Sequence, residues 1–508
     1  MQTFFDWFNR RAISKSDPWL ILGKGPSFAK RQCYDLNQFH ILSLNHVVRE
    51  QPVRAAHIID FEVVDACAEA IKLNAEVLVM PWRPHVNYRP SKRNLQELVQ
   101  VNPTLRYMDE RGRLVWYNLS SSREVHGHSP VVHVKYFSAE AALNLLATAG
   151  ARVVRSLGVD GGASYSPDFD DLRGKTLLSG GHKTFDLQFK GIATTIMNTG
   201  IDYAPLDSEA PIRIYVGSSS AEVLPVKVLE YSIRKHASMS VRVLPLHEAE
   251  IEVPQPGDES NRPRTPFSFH RFLIPELAGR RGRAIYLDSD MLVFSDIRKM
   301  WNLPFDGADV LAVRASSMAE KRAQFGVMLL NCEALDWNIE AIVEALDAGD
   351  LGYEQLMFEM TLARKVSAVI DSSWNSLERY KKGRTALLHY TDMERQPWVS
   401  RNNPLNRLWM RELIEAIDRG YISSTEVEEQ VRCGNARPSL LYQINNRVMD
   451  SRYLRRKARD LDASFIPPAI PGFHARAASR NLQKRVNKFF GRHAFGDTNE
   501  VENTARRR

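Results

Sequence analysis

Both halves of the chain alternate short apolar runs with segments of helical periodicity, and this alternation limits the possible folds more than any other feature. In the first half, predicted strands lie at 18–22, 40–45, 56–60, 76–80 and 151–162, with helices at 61–74 and 138–149. Strands that alternate with helices form a mostly parallel sheet covered on both faces. The sequence therefore predicts an α/β fold.

A polar segment at 206–211 interrupts both periodicities and predicts a domain boundary. A second α/β unit follows it, with a strand at 212–217, a helix at 223–236 and a strand at 240–246. We expect two Rossmann-like α/β domains, at 1–207 and 208–450, and a basic, partly amphipathic helical tail at 451–508. A length of 508 residues allows more than one core.

Two carboxylates, Asp288 and Asp290, interrupt the apolar run at 284–293. Residues two apart on a strand share a face, so both acids project from the strand end, where oxygen ligands can hold a divalent cation. Such a cation can clamp a diphosphate. The alternative is a solvated Asp-Ser-Asp turn between two strands.

Several motifs surround this pair in a fixed order. They are the strand at 215–222, Arg271, the strand at 325–331, Glu354-Gln355, Trp374-Asn375, and His389 followed by Arg395 and Pro397-Trp398. In this order, over roughly 212–398, they resemble family 8 glycosyltransferases, the group of glycogenin and the lipopolysaccharide galactosyl- and glucosyltransferases. Asp392 replaces the family's glycine after the histidine, and one residue is inserted before Pro397. The resemblance implies a nucleotide-sugar transferase fold of the GT-A type.

The resemblance also implies roles for single residues. Asp288, Asp290 and His389 would bind Mn²⁺ or Mg²⁺, and Gln355 would lie beneath the sugar ring beside Glu354 as the catalytic pair. Contacts to the UDP-sugar donor are expected from the remaining motif residues: Val216, Gly217, Ser219, Glu222, Arg271, Asp288, Ser289, Gln324 and Arg395. Ser219 stands where the family usually has an acid, and Gln324 where it usually has asparagine.

The chemistry of these residue types supports the implied reaction. Two carboxylates and one imidazole leave open positions on a cation for two diphosphate oxygens. The cation, Arg271 and Arg395 would stabilise the charge on the leaving diphosphate. The resemblance implies retention of the anomeric configuration. An amide is a poor nucleophile, which favours front-face attack with Gln355 as an orienting group.

In the first half, a glycine-rich loop with Gly23, Gly25 and Ser27 follows the first predicted strand, and Asn45 ends a later one. Together with the segment at 160–162, these residues resemble the nucleotide-binding domain of family 42 sialyltransferases and motility-accessory-factor proteins, although Lys24 replaces the sialyltransferase asparagine. The resemblance implies a CMP-sugar site. A binding or scaffold domain, with glycines that serve only tight packing, is the alternative. His126 and His128 are loop imidazoles without an assigned role.

The tail carries most of the uneven positive charge of a chain whose net charge is +8. Its apolar residues at helical spacing, Leu482, Val486, Phe489 and Phe490, are typical of a helix on an anionic membrane surface. A packing helix or a solvated tail is the alternative. No recognisable nucleic-acid module accompanies the charge, so we expect no nucleic-acid partner.

Cysteine usage and hydropathy indicate a compartment. The four cysteines are widely spaced and form no C-x-x-C pair, which argues against a zinc site or a disulfide framework. No apolar run approaches the length of a membrane span, and no cleaved signal is recognised. We expect a cytoplasmic protein, peripheral on the inner face of the membrane through its tail.

The sequence thus predicts a metal-dependent retaining transferase that moves a hexose from a UDP-sugar to a surface glycan or glycolipid. A second, CMP-sugar site in the first domain would make the protein bifunctional. One alternative is a non-catalytic nucleotide-binding or scaffold protein of a polysaccharide assembly complex. Another is a phosphatase of the haloacid dehalogenase type, whose D-x-D pair sits on its first strand and is answered by a later Gly-Asp motif that this sequence lacks.

Overall fold

The computed structural model describes residues 1–10, 14–122, 124–172, 183–249, 251–265, 267–315 and 324–468. Within these ranges the chain forms two α/β units, each built around its own large sheet. The predicted fold class is therefore confirmed.

The N-terminal sheet contains nine strands, and each neighbouring pair runs parallel. Its strands are β1 (Gln2–Thr3), β2 (Trp19–Leu22), β3 (His40–Leu44), β4 (Val53–His57), β5 (Ala75–Pro81), β8 (Leu114–Leu119), β9 (Val131–Val132), β10 (Val153–Leu157) and β11 (Asp202–Pro205). A separate hairpin joins β6 (His85–Val86) to β7 (Arg89–Pro90). The order β1-β8-β5-β4-β3-β2-β10-β11, with β9 beside β8, brings the carboxyl ends of β2, β3, β4 and β10 to one edge.

Helices cover both faces of this sheet, and a hydrophobic core lies on each side. They are α1 (Phe4–Arg10), α2 (Phe61–Ala66), α3 (Ala68–Asn74), α4 (Leu95–Val101), α5 (Pro103–Glu110), α6 (Ser138–Ala149) and α7 (Gln188–Thr199). The single helix predicted over 61–74 is two helices, because Cys67 adopts a non-helical φ of −118° and ψ of 16° between them. Phe4, Trp7 and Phe8 of α1 are buried in the core.

The C-terminal unit has a mixed six-stranded sheet in the order β13-β12-β14-β17-β16-β18, and a three-stranded sheet in the order β15-β20-β19. The strands are β12 (Ile212–Gly217), β13 (Val241–Pro245), β14 (Arg283–Asp288), β15 (Met291–Val293), β16 (Val310–Val313), β17 (Gln324–Asn331), β18 (Val366–Ile370), β19 (Ser376–Leu377) and β20 (Leu387–His389). In the larger sheet β14 is parallel to β12 and antiparallel to β17.

Helices of the C-terminal unit pack on these sheets in three hydrophobic clusters. They are α8 (Val223–His236), α9 (Ile274–Leu277), α10 (Arg298–Trp301), α11 (Ile339–Ala348), α12 (Asn406–Asp418), α13 (Ser424–Arg432), α14 (Ser439–Asn445) and α15 (Arg456–Asp460). Trp374 and Trp398 lie in these clusters as core residues. The predicted strand at 212–217 and helix at 223–236 match β12 and α8.

Among the described helices, none combines the length and the hydrophobicity that a bilayer crossing requires. The four tail residues predicted to face a membrane, Leu482, Val486, Phe489 and Phe490, lie outside the described residues.

Candidate functional site

Asp288, Asp290 and His389 form a cluster where β14 passes into β15. Asp288 ends β14, Asp290 precedes β15, and the antiparallel pairing of β15 with β20 places Met291 opposite His389. The imidazole Nε2 of His389 lies 2.9 Å from Asp290 Oδ1 and 3.8 Å from Asp288 Oδ2. One ligand atom from each residue lies within 4.8 Å of the other two. The two sheets thus bring together the three predicted metal ligands.

Tyr286 and Arg271 fix the carboxylate of Asp288. Tyr286 lies two residues earlier on the same face of β14, and its hydroxyl donates to Asp288 Oδ1 at 2.7 Å. Arg271 is buried, its guanidinium carbon lies 4.5 Å from the centre of the Tyr286 ring, and its Nη2 is 3.7 Å from Asp288 Oδ1. A Cβ on Gly217 would lie 2.3 Å from the Tyr286 hydroxyl, so the glycine makes room for this contact.

Gln396 and Asn375 orient the other two ligands. Gln396 Nε2 donates to Asp290 Oδ2 at 2.8 Å and to the carbonyl of Tyr390 at 3.1 Å. His389 Nδ1 lies 2.8 Å from Asn375 Oδ1, an acceptor, so Nδ1 carries the proton and donates it. Gln396 has no role in the sequence prediction. Its one signal was its position, as the residue inserted before Pro397.

Burial and charge together make this cluster a candidate cation site. The side chains of Asp288, Asp290 and His389 are only 19%, 16% and 10% exposed. Burial raises the pKa of Asp288, although Arg271 opposes the shift. Burial opposes protonation of His389, but the carboxylate of Asp290 outweighs it and raises the pKa of the imidazole. The two acids thus favour a positive charge at the position that His389 Nε2 faces.

The donor set fits Mn²⁺ or Mg²⁺. Carboxylate oxygens suit these metals, and an imidazole held through its other nitrogen is the usual arrangement of a metal-binding histidine. Gly326 on β17 borders the cluster, and a Cβ there would lie 2.6 Å from Asp288 Oδ2. The absence of a side chain at this position keeps the space beside the ligand atoms open.

Other residues predicted to contact the donor nucleotide lie around the end of β12. In the pairing of β12 with β14, Gly217 is the partner of Asp288, and the Ser289 N–H donates to the carbonyl of Gly217 at 3.1 Å. Ser219 and Glu222 form a capping box, in which the Ser219 N–H donates to Glu222 Oε2 at 2.6 Å. Burial raises the pKa of Glu222. Val216, Gly217, Ser219, Glu222 and Ser289 are thus grouped near the metal ligands by the β12–β14 pairing.

Gln355, Glu354 and Arg395 are exposed in the structure. Gln355 begins a short π-helical turn, Gln355–Glu359, and its Oε1 accepts from the Gly352 N–H at 2.8 Å. Arg395 is exposed, and its Nη2 donates to the carbonyl of Asn402 at 3.0 Å. The backbone of Gln324 begins β17. The roles assigned to these four residues stay predictions.

A second site candidate is a cavity of about 700 Å³ at the carboxyl edge of the N-terminal sheet. Lys24, Asn45, His46 and Asp60 line it from the ends of β2, β3 and β4. Asn45 Oδ1 and His46 Nδ1 are buried, and neither has a hydrogen-bond partner among the described residues. Burial lowers the pKa of Lys24 to about 8 and raises that of Asp60 to about 6.

The glycine-rich loop beside this cavity serves mainly to pack β2 against β10. The amides of Gly23 and Gly25 donate to the carbonyls of Leu157 and Gly158 at 2.8 and 2.9 Å. A Cβ on Gly23 would lie 2.2 Å from the Gly158 carbonyl oxygen, so only glycine fits. Ser27 donates its hydroxyl to Asp160 Oδ1 at 2.5 Å. Gly23 and Gly25 line the cavity, but their N–H groups and the Ser27 hydroxyl already donate to acceptors within the protein.

Two histidines that the sequence reasoning missed, His46 and His85, line the cavity. His46 directly follows Asn45 at the carboxyl end of β3, which was the available signal. The two loop histidines noted in the sequence, His126 and His128, are exposed. His126 stacks on Trp82, with ring centres 3.8 Å apart.

Residues 210–401 match the model of the family described as Glycosyl transferase family 8. This match supports the resemblance predicted for the C-terminal half, with its GT-A type fold, and glycosyl transfer as the reaction of this region. The resemblance of the N-terminal half to family 42 sialyltransferases stays a prediction.

Individual proteins resemble this chain either over a short stretch of sequence or at low sequence identity. Protein CDI of Arabidopsis thaliana is 32% identical over 108 residues, which are 20% of this chain and 41% of that protein. The apo form of the glycosyltransferase GlyE of Streptococcus pneumoniae TIGR4 has a TM-score of 0.30 at 16% identity, over 42% of this chain and 64% of that chain. The galactosyltransferase LgtC with donor and acceptor sugar analogs has a TM-score of 0.28 at 14% identity, over 42% of this chain and 100% of that chain. The chain thus spans less than two thirds of Protein CDI and of GlyE.

Proposed function

We propose that the C-terminal unit is a metal-dependent glycosyltransferase that moves a hexose from a UDP-sugar to a glycan or glycolipid acceptor, with retention of the anomeric configuration. The observation that carries the proposal is the convergence of Asp288, Asp290 and His389, each of which offers one ligand atom within 4.8 Å of the other two. This cluster lies inside the region that matches the family 8 model. With such an acceptor, the protein would take part in surface polysaccharide or lipopolysaccharide synthesis in the cytoplasm.

A divalent cation bound by these three residues would supply positive charge for the diphosphate of the donor. The chain's own residues prepare that position. Tyr286 and Gln396 each hold one carboxylate, and Asn375 holds the imidazole with Nε2 facing the cluster. Arg271 adds a fixed positive charge beside Asp288. A preorganised positive charge favours departure of the UDP diphosphate, on which negative charge develops.

In the transfer, the bond from the sugar anomeric carbon to the UDP oxygen breaks, and a bond from the acceptor hydroxyl oxygen forms. The acceptor proton leaves to the departing diphosphate on the same face of the sugar. Gln355 is proposed to orient the sugar ring from below, with Glu354 beside it. Gln355 Oε1 accepts from the Gly352 N–H, and its amide nitrogen would donate to the sugar.

The N-terminal cavity supports a second candidate activity, transfer from a CMP-sugar. Its volume of about 700 Å³ accommodates a nucleotide sugar, and aromatic rings border it. The ammonium of Lys24 lies 4.6 Å from the centre of the Tyr165 ring, and burial lowers the pKa of Lys24 to about 8. An anionic ligand would stabilise this charge, and its hydroxyl groups could bond Asn45 and His46.

The test is a donor screen on the full chain, with UDP-, GDP- and CMP-sugars, in Mn²⁺ or in EDTA. We expect Mn²⁺-dependent release of UDP that Asp288→Asn and Asp290→Asn abolish. The matched control is Asp336→Asn, which removes an exposed acid of the same unit. CMP release that Lys24→Met lowers, and that Lys30→Met at an exposed lysine leaves unchanged, would support bifunctionality.

Direct binding measurements separate the proposal from its alternatives. If the full chain binds neither Mn²⁺ nor UDP by calorimetry, the transferase proposal fails and a scaffold role replaces it. Release of inorganic phosphate from a phosphate monoester, lost in Asp288→Asn, would instead indicate the phosphatase.

A further inference from the structure

Each of the three metal-ligand side chains presents one polar atom to the cluster and has its other polar atom bonded elsewhere. The three outward contacts are short and come from three different elements. They join Asp288 Oδ1 to the Tyr286 hydroxyl at 2.7 Å, Asp290 Oδ2 to Gln396 Nε2 at 2.8 Å, and His389 Nδ1 to Asn375 Oδ1 at 2.8 Å. The site therefore offers three single ligand atoms rather than two bidentate carboxylates and an imidazole.

Within this outer set, Gln396 is held at the site by two hydrogen bonds from its side-chain amide. It is 8% exposed, and its amide nitrogen donates both to Asp290 Oδ2 and to the carbonyl of Tyr390. Tyr390 in turn donates its N–H to the carbonyl of Asp290 at 2.9 Å. The amide of Gln396 thus links the side chain of Asp290 to Tyr390, whose N–H already bonds the backbone of Asp290.

We propose that Gln396 is a positioning residue that restricts Asp290 to coordination through Oδ1 and thereby makes the site select Mn²⁺ or Mg²⁺ over Ca²⁺. The inference rests on the proposed function. Ca²⁺ takes about six to eight oxygen ligands and often binds carboxylates through both oxygens, whereas Mg²⁺ and Mn²⁺ suit octahedral sites with fewer protein ligands. A site with three single ligand atoms, one of them nitrogen, therefore suits Mg²⁺ and Mn²⁺ better than Ca²⁺.

Gln396 can be tested more cleanly than its counterparts at Asp288. Asp288 Oδ1 is near both the Tyr286 hydroxyl and Arg271 Nη2, and Tyr286 is a fully buried core residue. Asp290 Oδ2, by contrast, accepts its bond from Gln396 on a loop. The backbone carbonyl of Gln396 accepts from Val399 and Ser400, contacts that a side-chain substitution retains.

The experiment measures the dissociation constants of Mn²⁺ and Ca²⁺ for the full chain by titration calorimetry, with Mn²⁺ electron paramagnetic resonance as a second readout. Gln396→Met keeps the length of the side chain and removes the donor. We expect Mn²⁺ to bind about 10- to 100-fold more weakly, and Ca²⁺ to bind as well as before or better, so that the Mn²⁺/Ca²⁺ preference falls at least about tenfold. Gln255→Met, which removes an exposed amide that donates to the carbonyl of Val253, is the matched control.

An unchanged Mn²⁺/Ca²⁺ preference in Gln396→Met, whether both affinities stay the same or fall together, would overturn the role of Gln396 and leave the proposed function standing. If the unsubstituted chain binds no Mn²⁺, the proposed function fails with it. Thermal unfolding without metal establishes whether the variant is folded. If Gln396→Met is not folded, Gln396→Leu removes the donor with a smaller side chain and is expected to show the same fall in preference. An unchanged preference in Gln396→Leu would then refute the inference.

Discussion

Replacing Gly326 by alanine tests the geometry of the metal cluster at Asp288, whereas Gln396 acts on Asp290. The new Cβ would lie 2.6 Å from Asp288 Oδ2 and 3.2 Å from His389 Cε1, whereas ordinary contacts begin at 3.4 Å. The carboxylate and β17 must therefore separate by roughly 0.8 Å, more than the ~0.5 Å that a functional site tolerates. The Tyr286 hydroxyl holds Asp288 from the other side, so the carboxylate has no free direction in which to retreat.

We expect Gly326→Ala to cost about 1–3 kcal/mol of stability and to weaken Mn²⁺ binding at least about tenfold, which corresponds to about 1.4 kcal/mol. Calorimetric Mn²⁺ titration and urea unfolding measure the two effects. Gly257→Ala is the control, because a Cβ there meets its nearest atom at 3.7 Å, far from the cluster. Unchanged Mn²⁺ affinity in folded Gly326→Ala would refute the geometry argued for Asp288.

Three further predictions concern single groups. Asn375→Leu frees the ring of His389 and should weaken Mn²⁺ binding about 10- to 100-fold in the same titration; equal affinity would contradict the role of this hydrogen bond. Burial raises the pKa of Glu140 from its ordinary 4.5 to about 7, so the folded protein holds a proton that the unfolded chain has released between these values. The unfolding free energy should therefore fall, by up to about 3 kcal/mol, as the pH rises through this window, and Glu140→Gln should lack that component; equal slopes in urea unfolding would contradict it. Two thiols should react with a disulfide reagent in the native protein, and four after unfolding. Cys33 and Cys433 are exposed, whereas burial raises the pKa of the Cys67 thiol to about 11 and that of Cys332 to about 12. Reaction of all four thiols in the native protein would contradict this burial.

Local patterns were sufficient for the elements that hold the site. The strand at 212–217 and the helix at 223–236 follow directly from period-two and 3.6-residue patterns, and the structure places both at those positions. Asp288 and Asp290 were found because a strand end followed by paired acids is a local signal. His389 was found through motif order, and the pairing of β15 with β20 supplies the physical reason for its position.

The outer contacts of the site were not predictable in this way. Gln396 reaches Asp290 across 106 positions of sequence, and nothing local distinguishes a loop glutamine that bonds a carboxylate from one that faces water. The break at Cys67 was missed because helical periodicity continues across it. In the N-terminal half, the glycine pattern indicated a strand-to-helix turn, but only the fold shows that its amides already bond β10.

Crystals of the full chain grown with Mn²⁺ and UDP would show the donor site in an anomalous difference map. We expect one Mn²⁺ peak bonded to Asp288 Oδ2, Asp290 Oδ1 and His389 Nε2, with the diphosphate of UDP completing its coordination. A map with UDP bound elsewhere, or without Mn²⁺ at these three atoms, would show that this cluster is not the donor site of a metal-dependent glycosyltransferase.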